Sequence, residues 1–235
     1  GINGPAQTTL EAVECIRGAD KVYYVVPEPV TAYWITKLNP SAATLDDLYR
    51  EGKNRTRTYR EMVARLVGAD QAGHRVCAVF YGHPGVLVTA SHWAIQRVRR
   101  LGLEARMAPG VSSEACLFAE LGVNPGDNGV QSYEATDFLA SRRRIDPTAN
   151  LVLWQVGVLG EASVWKGIRA WPPRVERLVK KLLRHYPISH RVTIYEAATF
   201  AAHSPIIRTV RLDRLSRINV FSGATLFVPP IAQRS

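Results

Sequence analysis

Apolar residues in the first half of the chain recur at alternating helical and strand periods. Thr8 to Arg17 has helical spacing, with Thr8-Thr9 placed to cap it and Glu11 following. Lys21 to Val26 is β-branched and aromatic and predicts a strand. Pro29 to Lys37 predicts a helix entered through proline, and Arg55 to Ala72 an amphipathic helix ended by Gly73. Arg75 to Tyr81 predicts a core strand, His92 to Leu101 a helix ended by Gly102, and Leu103 to Met107 a short strand. Such alternation predicts an α/β fold whose first sheet is mainly parallel, with helices on both faces.

The pattern changes after Ala108-Pro109-Gly110, which reads as a linker. A helix over Ser113 to Leu121 is followed by strands at Val130 to Tyr133, Leu151 to Val156, Arg191 to Ala197, Ile206 to Leu212 and Thr225 to Val228. One long basic helix, Arg174 to His185, lies among them. Strands that crowd together without long helices between them predict a mixed sheet. The expected division is residues 1–108 and 109–235, with no internal repeat. Gly1-Ile2-Asn3-Gly4-Pro5 reads as a Gly-rich loop leading into a helix; a loop of this kind normally follows a strand, and the sequence leaves that strand open.

The 235 residues suffice for one large domain or two small ones with proper cores. At 46% hydrophobic and 21% charged, the composition gives no sign of disorder. Cys15, Cys77 and Cys116 are scattered and form no metal or disulfide pattern, which fits a reducing, cytoplasmic compartment. No apolar run approaches the roughly 18 residues of a membrane span, so a soluble protein without a membrane partner is expected. The net charge of +10 gathers in Arg97-Val98-Arg99-Arg100, Arg142-Arg143-Arg144 and Arg177 to Arg184. These segments read as solvated basic surface or as a seat for an acidic partner. Without an RNP-type aromatic pattern or a helix-turn-helix signal, nucleic acid is not the expected partner.

The chemistry concentrates at Tyr81-Gly82-His83-Pro84-Gly85-Val86, directly after the apolar run 76–80. Open α/β sheets bind ligands at such strand ends, and glycine lets a ligand approach the backbone. His83 alone reads first as a structural histidine. Arg55 and Tyr59 are four apart and share a helix face, with Tyr49 just upstream. Two phenols and a guanidinium can converge on one oxyanion or poise one proton transfer, although taken alone they read first as an Arg stacked on Tyr at the surface with no role. Ser112-Ser113 can cap the following helix or offer donors to a ligand. Acid dyads, a Ser-His-Asp order and a Walker loop are missing, which removes support for hydrolases and kinases.

Taken in order, several segments resemble the tetrapyrrole methylase superfamily of S-adenosylmethionine (SAM)-dependent methyltransferases. They are the Gly-rich start with Thr-Leu-Glu-Ala, Gly-Ala-Asp-Lys-Val-Tyr-Tyr at 18–24, Tyr-Gly-His-Pro-Gly at 81–85, Pro-Gly-Val-Ser-Ser at 109–113 and Thr225-Leu226-Phe227-Val228-Pro229-Pro230. A narrower set resembles the borosin branch, which methylates backbone amide nitrogens of a ribosomally made peptide. That set is Gly52-Lys53-Asn54-Arg55 with Thr58-Tyr59 and Met62, Tyr133-Glu134-Ala135-Thr136-Asp137-Phe138, and Leu153-Trp154-Gln155-Val156-Gly157. Porphyrin and corrin methylases typically carry Gly-Asp-Pro where this chain has Gly82-His83-Pro84, which favours a peptide substrate.

The resemblance implies two αβα lobes with SAM in the cleft between them, S-adenosylhomocysteine (SAH) as product, no metal, and a homodimer. It implies that Gly82, His83, Val86, Ser112, Ser113, Gln155, Ala197 and Thr225 bind the cofactor, with Tyr81 also at its edge. It implies that Tyr49, Arg55, Tyr59 and Tyr81 surround the peptide bond. Tyr59 or Tyr49 is the expected acceptor of the amide proton, through water, with Arg55 expected to draw that phenol toward its phenolate. Fused borosins continue into a clasp and a core peptide, so a chain ending at Ser235 is expected to be a split enzyme acting in trans on a separate precursor. The competing readings are a tetrapyrrole C-methyltransferase of the same fold and a non-catalytic binding module. If the basic segments hold an acidic leader peptide, its affinity falls steadily as salt rises; a salt-independent Kd, measured by titration, removes that contact.

Overall fold

The computed structural model describes residues 1–163, 168–169 and 172–231. The chain forms two compact units. Unit 1 comprises Gly1–Cys116, Ala162–Val164 and Ala198–Ser204; unit 2 comprises Leu117–Glu161, Trp165–Ala197 and Pro205–Ser235.

Unit 1 alternates helix and strand: α1 (Leu10–Gly18), β1 (Lys21–Val25), α2 (Pro29–Leu38), β2 (Ala43–Thr44), α3 (Arg55–Gln71), β3 (Val76–Phe80) and α4 (Thr89–Arg100). Local chemistry sets the helix starts. The Thr9 hydroxyl accepts the Ala12 N–H at 3.2 Å, and Asn54 Oδ1 accepts the Thr56 N–H at 2.9 Å. The sheet runs β2-β1-β3, all parallel, with Tyr23 opposite Ala43 and Val25 opposite Phe80. Alternate residues of β3 point to opposite helix layers. Val76, Ala78 and Phe80 pack with Met62 and Leu66 of α3 and Ala90 and Ala94 of α4. Cys77 and Val79 pack with Ile16 of α1 and Ile35 of α2.

The helix α5 (Ser113–Leu121) carries the chain from one unit to the other. Unit 2 continues with α6 (Pro125–Asn128), β4 (Val130–Glu134), α7 (Ala135–Ala140), β5 (Asn150–Trp154), β6 (Ile168–Arg169), α8 (Pro172–Leu182), β7 (Arg191–Glu196), β8 (Ile206–Arg211), β9 (Val220–Phe221) and β10 (Thr225–Val228). Its five-stranded sheet has the order β4-β5-β10-β7-β8, parallel at β4–β5 and antiparallel elsewhere, so it is mixed. The strands β6 and β9 form a separate antiparallel pair. Leu151 and Leu153, Val192 and Ile194, and Leu226 and Val228 meet Leu178 and Leu182 of α8 in one core. Among the described residues no helix is long and apolar enough to cross a membrane.

The parallel first sheet and mixed second sheet match the sequence reading, with one exception. Leu103–Met107 was expected as a strand and forms none. A strand exists only by pairing, and among the described residues nothing pairs with this segment.

Asn39, just after α2, ties three segments together. Its Nδ2 donates to the carbonyls of Ile16 and Ala19 at 2.8 Å each, and its Oδ1 accepts the Ser41 N–H at 2.9 Å. Replacing it with alanine strands two acceptors in a site where only 7% of Asn39 is exposed. Asn39→Ala is expected to destabilise unit 1 by about 2–3 kcal/mol, seen as a thermal midpoint lower by roughly 4–10 °C. A midpoint within a degree of the parent shows that water replaces these bonds.

Candidate functional site

The loop after β3 is shaped by glycine. Gly82 is buried at φ +77°, its N–H donates to the Gly1 carbonyl at 3.0 Å, and a Cβ there would lie 2.9 Å from Ile2 Cδ1. A Cβ on Gly110 would lie 2.7 Å from the Gly82 carbonyl oxygen, so the two backbones meet without room for a side chain. His83 Nδ1 accepts the Gly85 N–H at 2.9 Å, and Val86 N–H donates to the His83 carbonyl at 3.0 Å. His83 therefore braces the turn through one ring nitrogen. Ser112 Oγ accepts the Ala115 N–H at 3.1 Å and caps α5, while Ser113 is the first helical residue.

The expected aromatic cluster is assembled within unit 1. Tyr49, held by its N–H to the Asp46 carbonyl at 3.0 Å, lies in electrostatic range of Tyr59, Tyr81, Asp46 and Arg55. Asn54 starts α3, which places Arg55 and Tyr59 one turn apart on the same face. The Arg55 N–H donates to the Ala162 carbonyl at 3.0 Å, which fixes the backbone at the start of that face. Nearby, Lys53 bonds the Leu48 carbonyl at 2.7 Å and pairs with Glu61, bracing the polar turn between Tyr49 and α3.

Electrostatics corrects one expectation. Desolvation is the largest influence on Tyr49 and pushes its pKa well above the ordinary phenol value; Tyr59, Tyr81 and Asp46 add to this, and the downward pull of Arg55 is the smallest contribution. Tyr81 exposes 47% of its surface, yet desolvation around its hydroxyl raises its pKa too, with Tyr59 and Asp46 adding. Both phenols are held neutral, as hydrogen-bond donors rather than phenolates. Asp46 was not anticipated. Its position three residues before Tyr49, in Thr44-Leu45-Asp46-Asp47, is the only sequence signal for it.

In unit 2 the predicted residues gather at one end of the sheet. β10 runs antiparallel to β5 and β7, so the start of β10 lies beside the ends of both. Thr225 opens β10 opposite Tyr195, Gln155 follows β5, and Ala197 follows β7. Gln155 adopts a left-handed backbone, φ +59°, uncommon for a residue with a side chain. Thr225 is buried. Glu196 joins them unanticipated: its Oε2 is buried with no partner among the described residues, and burial raises its pKa.

The profile of the Tetrapyrrole (Corrin/Porphyrin) Methylases matches residues 1–213. The chain belongs to this family. Within it, the chain is 37% identical over 99% of its length to a methyltransferase/type I borosin cyclic peptide precursor of Coprinopsis marcescibilis. It is 36% identical over its full length to the methyltransferase/omphalotin A precursor of Omphalotus olearius. It spans 61% and 57% of the lengths of these two relatives. Among solved structures it resembles the uroporphyrin-III C-methyltransferase of Thermus thermophilus, with TM-score 0.68, 18% identity and coverage of 97% of this chain and 90% of that one. Another structure of that enzyme, in complex with S-adenosylhomocysteine, matches with TM-score 0.63 and 19% identity over 97% of this chain and 94% of that one. These structures support the tetrapyrrole methylase fold.

The raised phenols have a consequence for stability. A group whose pKa is higher folded than unfolded stabilises fully below its unfolded value and loses that contribution as pH rises through the folded one. Tyr49 and Tyr81 behave so, as do Tyr186, pushed up to about 12, and Cys77, pushed up to about 11, both by burial. The thermal midpoint is expected to hold up to about pH 9 and to fall beyond roughly pH 10. Tyr49→Phe is expected to shallow that alkaline fall. Equal slopes for parent and variant in a series of melts would show that Tyr49 is solvated.

Proposed function

We propose that this chain is a SAM-dependent methyltransferase acting on backbone amide nitrogens of a ribosomally made peptide. The observation that carries the reading is the convergence of Tyr49, Arg55, Tyr59 and Tyr81 beside the glycine-shaped loop. Relatives whose names join a methyltransferase to a cyclic peptide precursor, aligned along the whole chain, support it.

The residues present fit SAM. In unit 1, the positive φ of Gly82 turns the loop that carries His83 and Val86, with Ser112 and Ser113 at a helix start. In unit 2, Gln155, Ala197, Thr225 and the unpartnered Glu196 oxygen offer polar atoms at one sheet end. These residues would hold the cofactor, which supplies an electrophilic methyl group when bound.

An amide nitrogen is a poor nucleophile because its lone pair is shared with the carbonyl. The chain must therefore stabilise negative charge on the amide oxygen and remove the N–H proton. Neutral Tyr49 and Tyr81 donate hydrogen bonds to that oxygen, and the Arg55 guanidinium opposes its charge. With Tyr49 held protonated, Tyr59 is the phenol that passes the amide proton on to water, receiving it on oxygen as its own proton departs. Nitrogen gains the methyl group and loses the proton.

The reading extends to a homodimer and to a peptide supplied as a separate chain. Incubating the protein with SAM and synthetic apolar peptides, with and without an acidic leader, tests it by intact mass and fragmentation. A methyl group placed by fragmentation on a backbone nitrogen, a net mass gain of one CH2, supports both the reaction and action in trans. SAM binding without peptide methylation, joined by a visible absorption change with uroporphyrinogen, moves the assignment to a tetrapyrrole. Tyr59→Phe is expected to cut turnover by about 10²-fold or more with the SAM Kd unchanged by calorimetry. Near-full methylation by the variant would sink the Tyr59 assignment.

A further inference from the structure

Tyr49 does not belong to α3, yet the proposed chemistry needs it in register with two side chains that do. It lies between β2 and α3, ahead of the turn that leads into Arg55 and Tyr59. A phenol on a loop keeps its place against a helix only through contacts that cross between them. Leu48, Tyr49 and Tyr59 do pack on one apolar cluster, with Leu45 and Met62. Apolar packing is non-directional, however, and fixes an aromatic ring less sharply than a hydrogen bond to its own backbone.

Lys53 supplies such a bond. Residues 50–53 form a tight turn: the Lys53 N–H donates to the Arg50 carbonyl at 3.1 Å, and Gly52, at φ +75°, takes the third position, which favours glycine. The turn sends the Lys53 side chain back to the residue before Tyr49, where Nζ donates to the Leu48 carbonyl at 2.7 Å. The Tyr49 N–H donates to the Asp46 carbonyl at 3.0 Å. Both polar ends of the peptide unit joining Leu48 to Tyr49 are therefore bonded. Because that unit is planar, it cannot rotate without losing one of the two bonds.

The other side of the Lys53 ammonium is anchored to α3. It pairs with Glu61, and Arg57 Nε holds the same carboxylate at 3.2 Å. The path from the helix to the phenol runs through Glu61, Lys53 and the Leu48 carbonyl. The Lys53 side chain is only 15% exposed, against 77% for Arg57. Exposed ion pairs contribute little, whereas an enclosed ammonium must be matched by partners. Its charge is matched by Glu61, whose carboxyl the bond from Lys53 holds below the usual carboxylate range. What Lys53 delivers to Tyr49 is thus a donor in a fixed place rather than a net field.

We propose that Lys53 is a positioning residue for the methyl transfer: tied to α3 and bonded to the Leu48 carbonyl, it sets Tyr49 against Arg55 and Tyr59. The reaction it serves rests on the methyltransferase reading; the placement of Tyr49 does not.

A separate hold on the same segment keeps the loop attached when Lys53 is changed. Arg65 of α3 donates to the Thr44 carbonyl at 3.3 Å and to both oxygens of Asp47 at 2.9 and 2.8 Å. Removing the Lys53 bond therefore loosens the Tyr49 end while the Thr44 end stays bound.

Two variants separate the carbonyl bond from the ion pair. Lys53→Met keeps the apolar stem and removes both. Glu61→Gln removes the ion pair but leaves an oxygen to accept from the ammonium, so the Leu48 bond remains. With SAM and a peptide that the parent methylates, Lys53→Met is expected to lower kcat about tenfold or more with the peptide KM within about threefold. Glu61→Gln is expected to stay within about threefold of the parent in both. A second readout needs no turnover. Acetylation of the Tyr49 hydroxyl by N-acetylimidazole, located by mass and reversed by hydroxylamine, is expected to quicken about fivefold or more in Lys53→Met and less than about twofold in Glu61→Gln.

Parent-like kcat and acetylation in Lys53→Met overturn the proposal. Equal changes in Glu61→Gln overturn it by assigning the effect to the ion pair, and a loss confined to KM overturns it by making Lys53 a peptide-binding residue. Where Lys53→Met does not fold, Lys53→Gln, whose amide ends one atom short of the Leu48 carbonyl, is measured with the same expectations. If the parent methylates no peptide, the activity reading fails, and the acetylation rates alone still decide whether Lys53 sets Tyr49.

Discussion

Three backbones meet at Gly82 with no space for a side chain on Gly110, and the site in unit 1 depends on that junction. The first residue, the loop after β3 and the segment before α5 come together there: the Gly1 carbonyl takes the Gly82 N–H, and Gly110 packs against the Gly82 carbonyl. A clash with backbone cannot be relieved by changing a rotamer, unlike a clash with a flexible side chain. The positive φ of Gly82 adds a second constraint that only glycine meets without strain. Tyr81 and His83 flank this residue and inherit its position. Tyr81 is fixed a second time, by its N–H to the Val25 carbonyl at 3.2 Å, which extends the β1–β3 ladder by one residue.

The phenol cluster shows why proximity to a cation does not by itself create a base. A guanidinium favours phenolate, but a partly enclosed hydroxyl loses the water that would solvate the anion. For Tyr49 the second effect is larger, and neighbouring Tyr59, Tyr81 and Asp46 act in the same direction. A phenol held neutral can donate to a developing oxyanion without first losing its proton. Arg55, too weak to ionise Tyr49, remains suited to oppose charge on an amide oxygen. The same surroundings that disqualify Tyr49 as a base qualify it as an electrophilic partner.

Most helices and strands were legible in the sequence because periodicity and caps are local. Thr9, Asn54, Gly73 and Gly102 mark helix ends by the mechanisms that the structure shows. The loop at Tyr81–Gly85 and the Arg55–Tyr59 face were legible for the same reason. Asp46 and Glu196 were not, because their significance arises from neighbours brought close by folding. Asp46 matters through Tyr81, and Glu196 through the antiparallel pairing that sets β10 beside β7. The left-handed backbone of Gln155 was equally hidden, since glutamine gives no local signal for it. Leu103–Met107 failed in the opposite sense: its composition suits a strand, but pairing is a tertiary property.

Loops that bind ligands in open sheets hang from strand ends, so their order depends on the strands that carry them. The loop Tyr81–Gly85 leaves β3 under two backbone ties, Tyr81 N–H to the Val25 carbonyl and Gly82 N–H to the Gly1 carbonyl. Tyr81 is thus set by bonds at its own residue and the next, and it shares its electrostatic surroundings with Tyr59 and Asp46. Rigid backbone beneath a phenol donor matters because a misplacement of about an ångström can cost about 10²-fold in rate.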